Sequence, residues 1–196
     1  MQATTKLIIA LGNPGKEYEN TRHNVGFQIL YSFAEKHQIK VKEDKNLLCK
    51  FGKGKLHDFD LLLAYPTTFM NKSGDALIKL LNWFKLNIKD LIVVHDEAAL
   101  NLGKIRVSHD SGHAGHHGVE SIIQVLGGNK EFTRLRIGIG PDPGGTERSN
   151  YVLAKFKEEE KIILKKIIDL SIGAIETIIT KGYEETMNKY NGMEIV

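Results

Sequence analysis

Thr21-Arg22-His23-Asn24 sets a histidine between a Gly-Pro turn and a stretch with apolar residues at helical spacing. An imidazole is a competent base near neutral pH when an acceptor holds one ring nitrogen and leaves the other bare. Asp96, just beyond the apolar run Leu91–Val94, is the carboxylate placed to be that acceptor. A His–Asp pair with no serine or cysteine nucleophile beside it suits activation of water. Asn13 follows the first apolar run, and Asn71 closes the segment Pro66-Thr67-Thr68-Phe69-Met70-Asn71. Both offer neutral amides that can hold a carbonyl or an oxyanion. A single histidine at a helix start is more often a cap or a surface group, so the weight rests on the combination.

The remaining histidines suggest a different chemistry. Of eight, His95, His109, His113, His116 and His117 fall in one stretch that also contains Asp96. Imidazole is the commonest metal ligand. A metal site is nevertheless disfavoured, because His113 and His116 sit in a glycine-rich loop, no HExxH helix is present and Cys49 is the one cysteine. A polar loop with surface histidines is the plainer reading. Gly138-Ile139-Gly140 begins like a dinucleotide fingerprint, but Pro143 stands where the third glycine belongs. No Walker loop and no Gly-x-Ser-x-Gly elbow occurs.

Elements that could position these residues alternate along the chain. Lys6–Leu11, Leu61–Tyr65, Leu91–Val94 and Leu135–Ile139 read as short buried strands, with Lys104–Val107 as a further short one. Val25–Lys36, Asp75–Phe84 and His117–Leu126 read as helices, and Ser73 is placed to cap the second. Lys157–Thr180 reads as a long helix with an apolar stripe of Ile162, Ile163, Leu164, Ile167 and Ile168 opposite a basic face. Lys155, Lys157, Lys161, Lys165 and Lys166 on that face are interspersed with Glu158, Glu159 and Glu160, which reads as a solvated surface. The pattern predicts one α/β domain over residues 1–192, with a central mixed, mostly parallel sheet flanked by helices on both faces, and a disordered tail at 193–196. In such sheets ligands bind beyond the carboxyl ends of the strands, where Asn13, Thr67–Asn71, His95 and Asp96 fall.

The chain has 196 residues, 41% hydrophobic and 26% charged, and a formal net charge of +3. That excludes a disordered or collagen-like chain and permits nucleic-acid binding without requiring it. A single cysteine excludes a disulfide framework. With no signal-peptide pattern and no apolar run of membrane-spanning length, the expectation is a soluble cytoplasmic protein.

Taken in order, several segments resemble bacterial peptidyl-tRNA hydrolase. They are Leu11-Gly12-Asn13-Pro14-Gly15 with Tyr18, Thr21–Gly26, Pro66–Asn71 with Ser73-Gly74, Val94–Glu97, Gly115-His116 with Gly118, Arg134–Gly140, and Tyr151-Val152-Leu153 with Phe156. The resemblance covers nearly the whole chain. It implies a monomer that hydrolyses the ester joining a peptide to the 3′ ribose of tRNA, with no metal and no cofactor. By the same resemblance His23 is the general base and Asp96 the acid that orients it. Asn13 and Asn71 position the peptide and the scissile carbonyl. Tyr18 and Met70 line the cleft, and His116 stands on its rim. Arg106 and Arg136 clamp the tRNA 5′-phosphate. The chain departs from the family pattern at His117, where an asparagine that helps hold the attacking water is usual. Ser108 replaces a second basic residue of the clamp, and Ala98-Ala99 replaces a Leu-Asp pair. An RNA-binding protein on the same fold with reduced catalysis is the alternative, and a metal-dependent hydrolase a distant third.

Overall fold

The computed structural model describes residues 4–195. Its strands are β1 (Thr5–Ala10), β2 (Val41–Asp44), β3 (Cys49–Leu56), β4 (Phe59–Pro66), β5 (Leu91–Asn101), β6 (Ile105–His109) and β7 (Thr133–Gly140). They form one sheet in the order β2-β3-β4-β1-β5-β7-β6. The centre, β4-β1-β5-β7, is parallel. Both flanks are antiparallel, β2 and β3 on one side and β6 on the other. The helices are α1 (Val25–Lys36), α2 (Ser73–Phe84), α3 (His117–Val125), α4 (Glu147–Leu153), α5 (Glu158–Lys181) and α6 (Tyr183–Tyr190).

Strand parity divides the interior into two layers. Ile8, Ala10, Ile92 and Val94 pack against Val25 and Ile29 of α1 and Ile167 and Ile175 of α5. Leu7, Ile9, Leu91 and Val93 pack against Leu77 and Leu80 of α2 and Val119 and Ile122 of α3. A sheet buried on both faces needs continuous apolar strands, which is why β1 and β5 read so plainly in the sequence.

Several boundaries differ from expectation for identifiable reasons. β2 and β3 were not foreseen, because Gly52, Gly54 and alternating lysines mask the strand pattern of Cys49–Leu56. Those glycines mark a close approach: a Cβ on Gly52 would meet Ile39 at 2.7 Å and the Lys40 carbonyl at 2.9 Å. β5 does not stop at Val94, so His95 and Asp96 belong to the strand rather than to a loop beyond it. The second helix begins at Ser73, whose hydroxyl donates back to the Met70 carbonyl at 2.8 Å instead of capping the helix. Ile162 is 68% exposed, and the stripe of α5 is continued by Ile172, Ile175 and Ile179. Where a disordered tail was expected, residues 193–195 are docked: Glu194 bridges Lys104, and the Ile195 amide donates to the Gly103 carbonyl at 2.9 Å. Val196 lies outside the described residues. Among the described residues, no helix is long and apolar enough to cross a membrane.

Gly26, in the first turn of α1, brings that helix against the ends of β1 and β5. A Cβ there would lie 2.6 Å from the Val94 carbonyl and 2.9 Å from that of Leu11. Both contacts are backbone and cannot swing aside. Gly26→Ala is therefore expected to destabilise the fold by roughly 1–3 kcal/mol, read as a lower denaturant midpoint with an unchanged slope. A midpoint equal to wild type would mean that α1 can stand further from the sheet.

Candidate active site

His23 lies in a short 3₁₀ turn, Arg22–Asn24, that leads into α1. Asp96 lies in β5 with its side chain 3% exposed. His116 is the residue that caps α3. These three elements meet at one atom. Asp96 Oδ1 is 2.8 Å from His23 Nδ1 and 2.9 Å from His116 Nε2.

The surrounding bonds fix the protons. His116 Nδ1 accepts the backbone N–H groups of Gly118 at 3.2 Å and Val119 at 3.3 Å. Its proton must therefore sit on Nε2, which donates to Asp96. An ionised carboxylate only accepts, so His23 donates from Nδ1 and its Nε2 is left bare as the basic nitrogen. Burial pushes the His23 pKa down, but the charge of Asp96 and the bond to it more than offset this and hold it above 6.5. Burial alone would raise the Asp96 carboxyl, yet His23 and His116 hold it well below the usual carboxylate range.

The same three side chains are close enough to suggest a cation site, with their ligand atoms within 4.8 Å of one another. The donor set does not suit one. For His116 to offer Nε2 to a metal, its proton would have to move to Nδ1, where two backbone N–H groups already point. His109 and His113 lie apart from this cluster. His109 stacks on Tyr183 at 4.2 Å, and His113 Nδ1 accepts from the Gly115 amide at 3.3 Å.

Asn13 is oriented as firmly as His23. Its amide N–H donates to Asn24 Oδ1 at 2.8 Å, and Asn24 Nδ2 donates to the Asn13 carbonyl at 2.9 Å. Asn13 Oδ1 accepts from the Met70 amide at 2.8 Å, so the Nδ2 end is the one left to donate to a ligand. Asn71 follows Met70 and is exposed. Tyr18 packs edge-on against Phe69, with ring centroids 6.5 Å apart.

His23, Asp96, His116 and His117 line one small cleft of about 80 Å³, while Asn13 lines a neighbouring hollow with Asn24 and Thr67. His117 stands at the rim with its side chain 74% exposed, its Nδ1 3.4 Å from Glu120. Arg136 forks onto Glu97, with Nε at 3.1 Å and Nη2 at 2.7 Å from one oxygen. Arg106 is its register partner on β6 and is exposed. Ser108, opposite Arg134 in the same ladder, bonds Ser111 at 3.2 Å.

Two features were missed in the sequence. Arg148, Ser149 and Val152 of α4 form a wall of the cleft. That wall is fastened to the turn that carries His23 by Arg22, whose guanidinium lies 4.6 Å from the Tyr151 ring and 4.8 Å from that of Phe156. Arg22 Nη2 also bonds both oxygens of Glu160, at 2.7 and 3.0 Å, and its amide donates to the Ala154 carbonyl at 2.9 Å. The second feature is Asn24, which frames Asn13. It stood inside the Thr21–Asn24 motif, but its partner was a backbone group that no side-chain pattern announces.

Comparison with known proteins agrees with this geometry. The family model for peptidyl-tRNA hydrolase matches residues 7–195. A peptidyl-tRNA hydrolase of Syntrophomonas wolfei is 42% identical over 186 residues, covering 95% of this chain and all of that protein. One from Clostridium botulinum is 39% identical over 190 residues, covering 96% and 98%. The crystal structure of the Acinetobacter baumannii peptidyl-tRNA hydrolase superposes with a TM-score of 0.92 at 31% identity, covering 99% of this chain and 98% of that one. With a family match that spans the sheet, the His23–Asp96–His116 cluster and the α4 wall alike, this chain belongs to the peptidyl-tRNA hydrolase family.

Proposed function

We propose that this protein hydrolyses the ester between the peptide and the 3′ ribose of peptidyl-tRNA by attack of a water that His23 activates. The observation that carries the reading is the 2.8 Å bond from His23 Nδ1 to the buried Asp96, which leaves Nε2 as the base. Water bound at Nε2 gives up its proton as its oxygen attacks the ester carbonyl. Asn13 Nδ2 and the amide of Asn71 supply donors for the developing oxyanion. Collapse of the tetrahedral intermediate expels the ribose oxygen, which takes the proton back from His23. The products are tRNA with a free 3′ end and a peptide carboxylate. An ester leaving group is good enough that no covalent enzyme intermediate is needed. Tyr18 lines the approach and His117 contacts the substrate from the rim, whereas the Met70 side chain is buried in the α2–α3 layer and His116, with both ring nitrogens bonded, sits within the Asp96 cluster rather than on the rim.

Arg106 and Arg136 receive the 5′-phosphate in this reading. Arg136 is already paired with Glu97, which leaves Arg106 as the more available charge. The protein acts as a monomer in this reading. A tRNA-linked substrate supports a cytoplasmic location. No resident metal is invoked.

His23→Ala is expected to lower single-turnover cleavage of an N-blocked aminoacyl-tRNA by about 10²–10⁴-fold in the presence of EDTA. Its affinity for the same substrate should stay close to wild type. Cleavage at the wild-type rate would remove His23 from the mechanism, and loss of wild-type activity in EDTA would bring back a metal.

Arg106→Ala is expected to raise KM for a 5′-phosphorylated substrate, leave kcat unchanged, and reduce the salt slope of binding by roughly 0.7–0.9. Discrimination between substrates with and without the 5′-phosphate should shrink with it. A variant that still separates the two as wild type does would place the phosphate elsewhere.

A further inference from the structure

His95 has no part in the chemistry proposed above, yet it is 1% exposed and lies at the centre of the cluster. It neighbours Asp96 in β5, so strand parity turns the two side chains to opposite faces of the sheet. Asp96 shares its parity with Ile92 and Val94 and faces the α1 layer, while His95 shares its parity with Leu91 and Val93 and faces the α2–α3 layer. His116 comes from that second layer. The His95 and His116 rings meet edge to face, with centroids 4.6 Å apart at 69°.

The bonds of His95 are as specific as those of its neighbours. Its Nδ1 is 2.6 Å from the backbone carbonyl of Asp96, which can only accept, so Nδ1 carries the proton. Its Nε2 is buried without a hydrogen-bond partner among the described residues. A buried acceptor without a partner is a cost that an apolar residue would avoid. The groups that face it are His116 from α3, Arg134 from β7 and Asp96 from its own strand. Burial, His116 and Arg134 together hold its pKa well below 6.5, so the ring is neutral.

We propose that His95 is a positioning residue for the hydrolysis: it anchors the Asp96 carbonyl and braces the His116 ring, so that the shared Asp96 oxygen stays aligned on His23. A neutral brace matters because the site holds one buried negative charge and three imidazoles. His23 must become the cation during turnover, and its own ring lies only 5.1 Å from that of His116. A neutral His95 adds no positive charge to this cluster and leaves the carboxylate of Asp96 to the rings that bond it. This inference rests on the role given to His23 above.

Two substitutions separate its parts. In His95→Asn the side-chain amide nitrogen falls near the Nδ1 position and keeps the bond to the Asp96 carbonyl. In His95→Leu both that bond and the polar ring are lost, while bulk is retained. His95→Leu is expected to lower kcat roughly 10- to 100-fold through misalignment, with KM close to wild type. His95→Asn should recover most of that loss. A His95→Leu variant with wild-type kcat, equal losses in the two variants, or a change confined to KM would each overturn the proposal.

A second measurement needs neither variant nor substrate. Ring-nitrogen NMR of the wild-type protein between about pH 5 and 8, around the ordinary histidine value, should show His95 protonated at Nδ1 only, with the Nε2 of His116 carrying the proton that it donates to Asp96. A His95 ring that is charged, or in the other tautomer, at neutral pH would overturn the inference. If wild type cleaves no peptidyl-tRNA ester, the functional reading fails on its own, and the NMR result still decides the arrangement of His95.

Discussion

A single oxygen of a buried carboxylate, Asp96 Oδ1, accepts hydrogen bonds from two imidazoles, and the site is arranged around that point. An ionised carboxylate taken out of water costs several kcal/mol unless it is paired and fully bonded. Here the compensation comes from two separate layers of the fold. His23 arrives from the turn before α1 on one face of the sheet, and His116 arrives from the start of α3 on the other. β5 has to run past the point where its apolar run ends, carrying Asp96 into the space between them. The long central strand, the two helix starts and the depressed carboxyl are therefore one constraint seen at different scales.

The rest of the site depends on fixed backbone rather than on flexible side chains. Asn13 and Asn24 exchange two bonds, and Met70 holds the other end of Asn13, so the free amide points one way only. Preorganised donors of this kind stabilise developing charge without reorganising at the moment of reaction. The Arg22 clasp adds the α4 wall to the same turn that presents His23. Catalytic groups placed on strand ends and helix starts are held more precisely than groups on loops.

How far the sequence revealed this depended on whether a signal was local. The buried strands β1 and β5 and the amphipathic helices α1 and α2 are legible because burial on one or both faces imposes a period on neighbouring residues. β3 was not, because its pattern is broken by glycines whose reason, the nearby 39–40 segment, lies outside the strand. His23 and Asp96 could be paired on chemical grounds, since a base needs an acceptor. The second bond to Asp96 could not be read, because it depends on His116 using its other nitrogen as a helix cap. His117 drew attention as the departure from the family pattern, yet its ring is exposed and lies near Glu120, while the neighbouring His116 reaches the acid. The tail at 193–195 looked unsupported because its partners, Gly103 and Lys104, are ninety residues away in the chain.

The central claim is that the charge of Asp96 sets the basicity of His23. The direct measurement is an NMR titration of His23 in wild type and in Asp96→Asn, alongside kcat/KM as a function of pH for each. In wild type the His23 pKa should lie above 6.5, because the carboxylate outweighs burial. The base form is lost as pH falls through that raised value, so the acid limb should fall at the same pH. In Asp96→Asn the hydrogen-bond acceptor remains and the charge is gone, so burial, the largest influence, meets less opposition and the His23 pKa should drop below its wild-type value. The acid limb should move down with it while the maximal rate decreases. A His23 pKa that does not move on loss of the charge, or an acid limb that ignores it, would contradict the account.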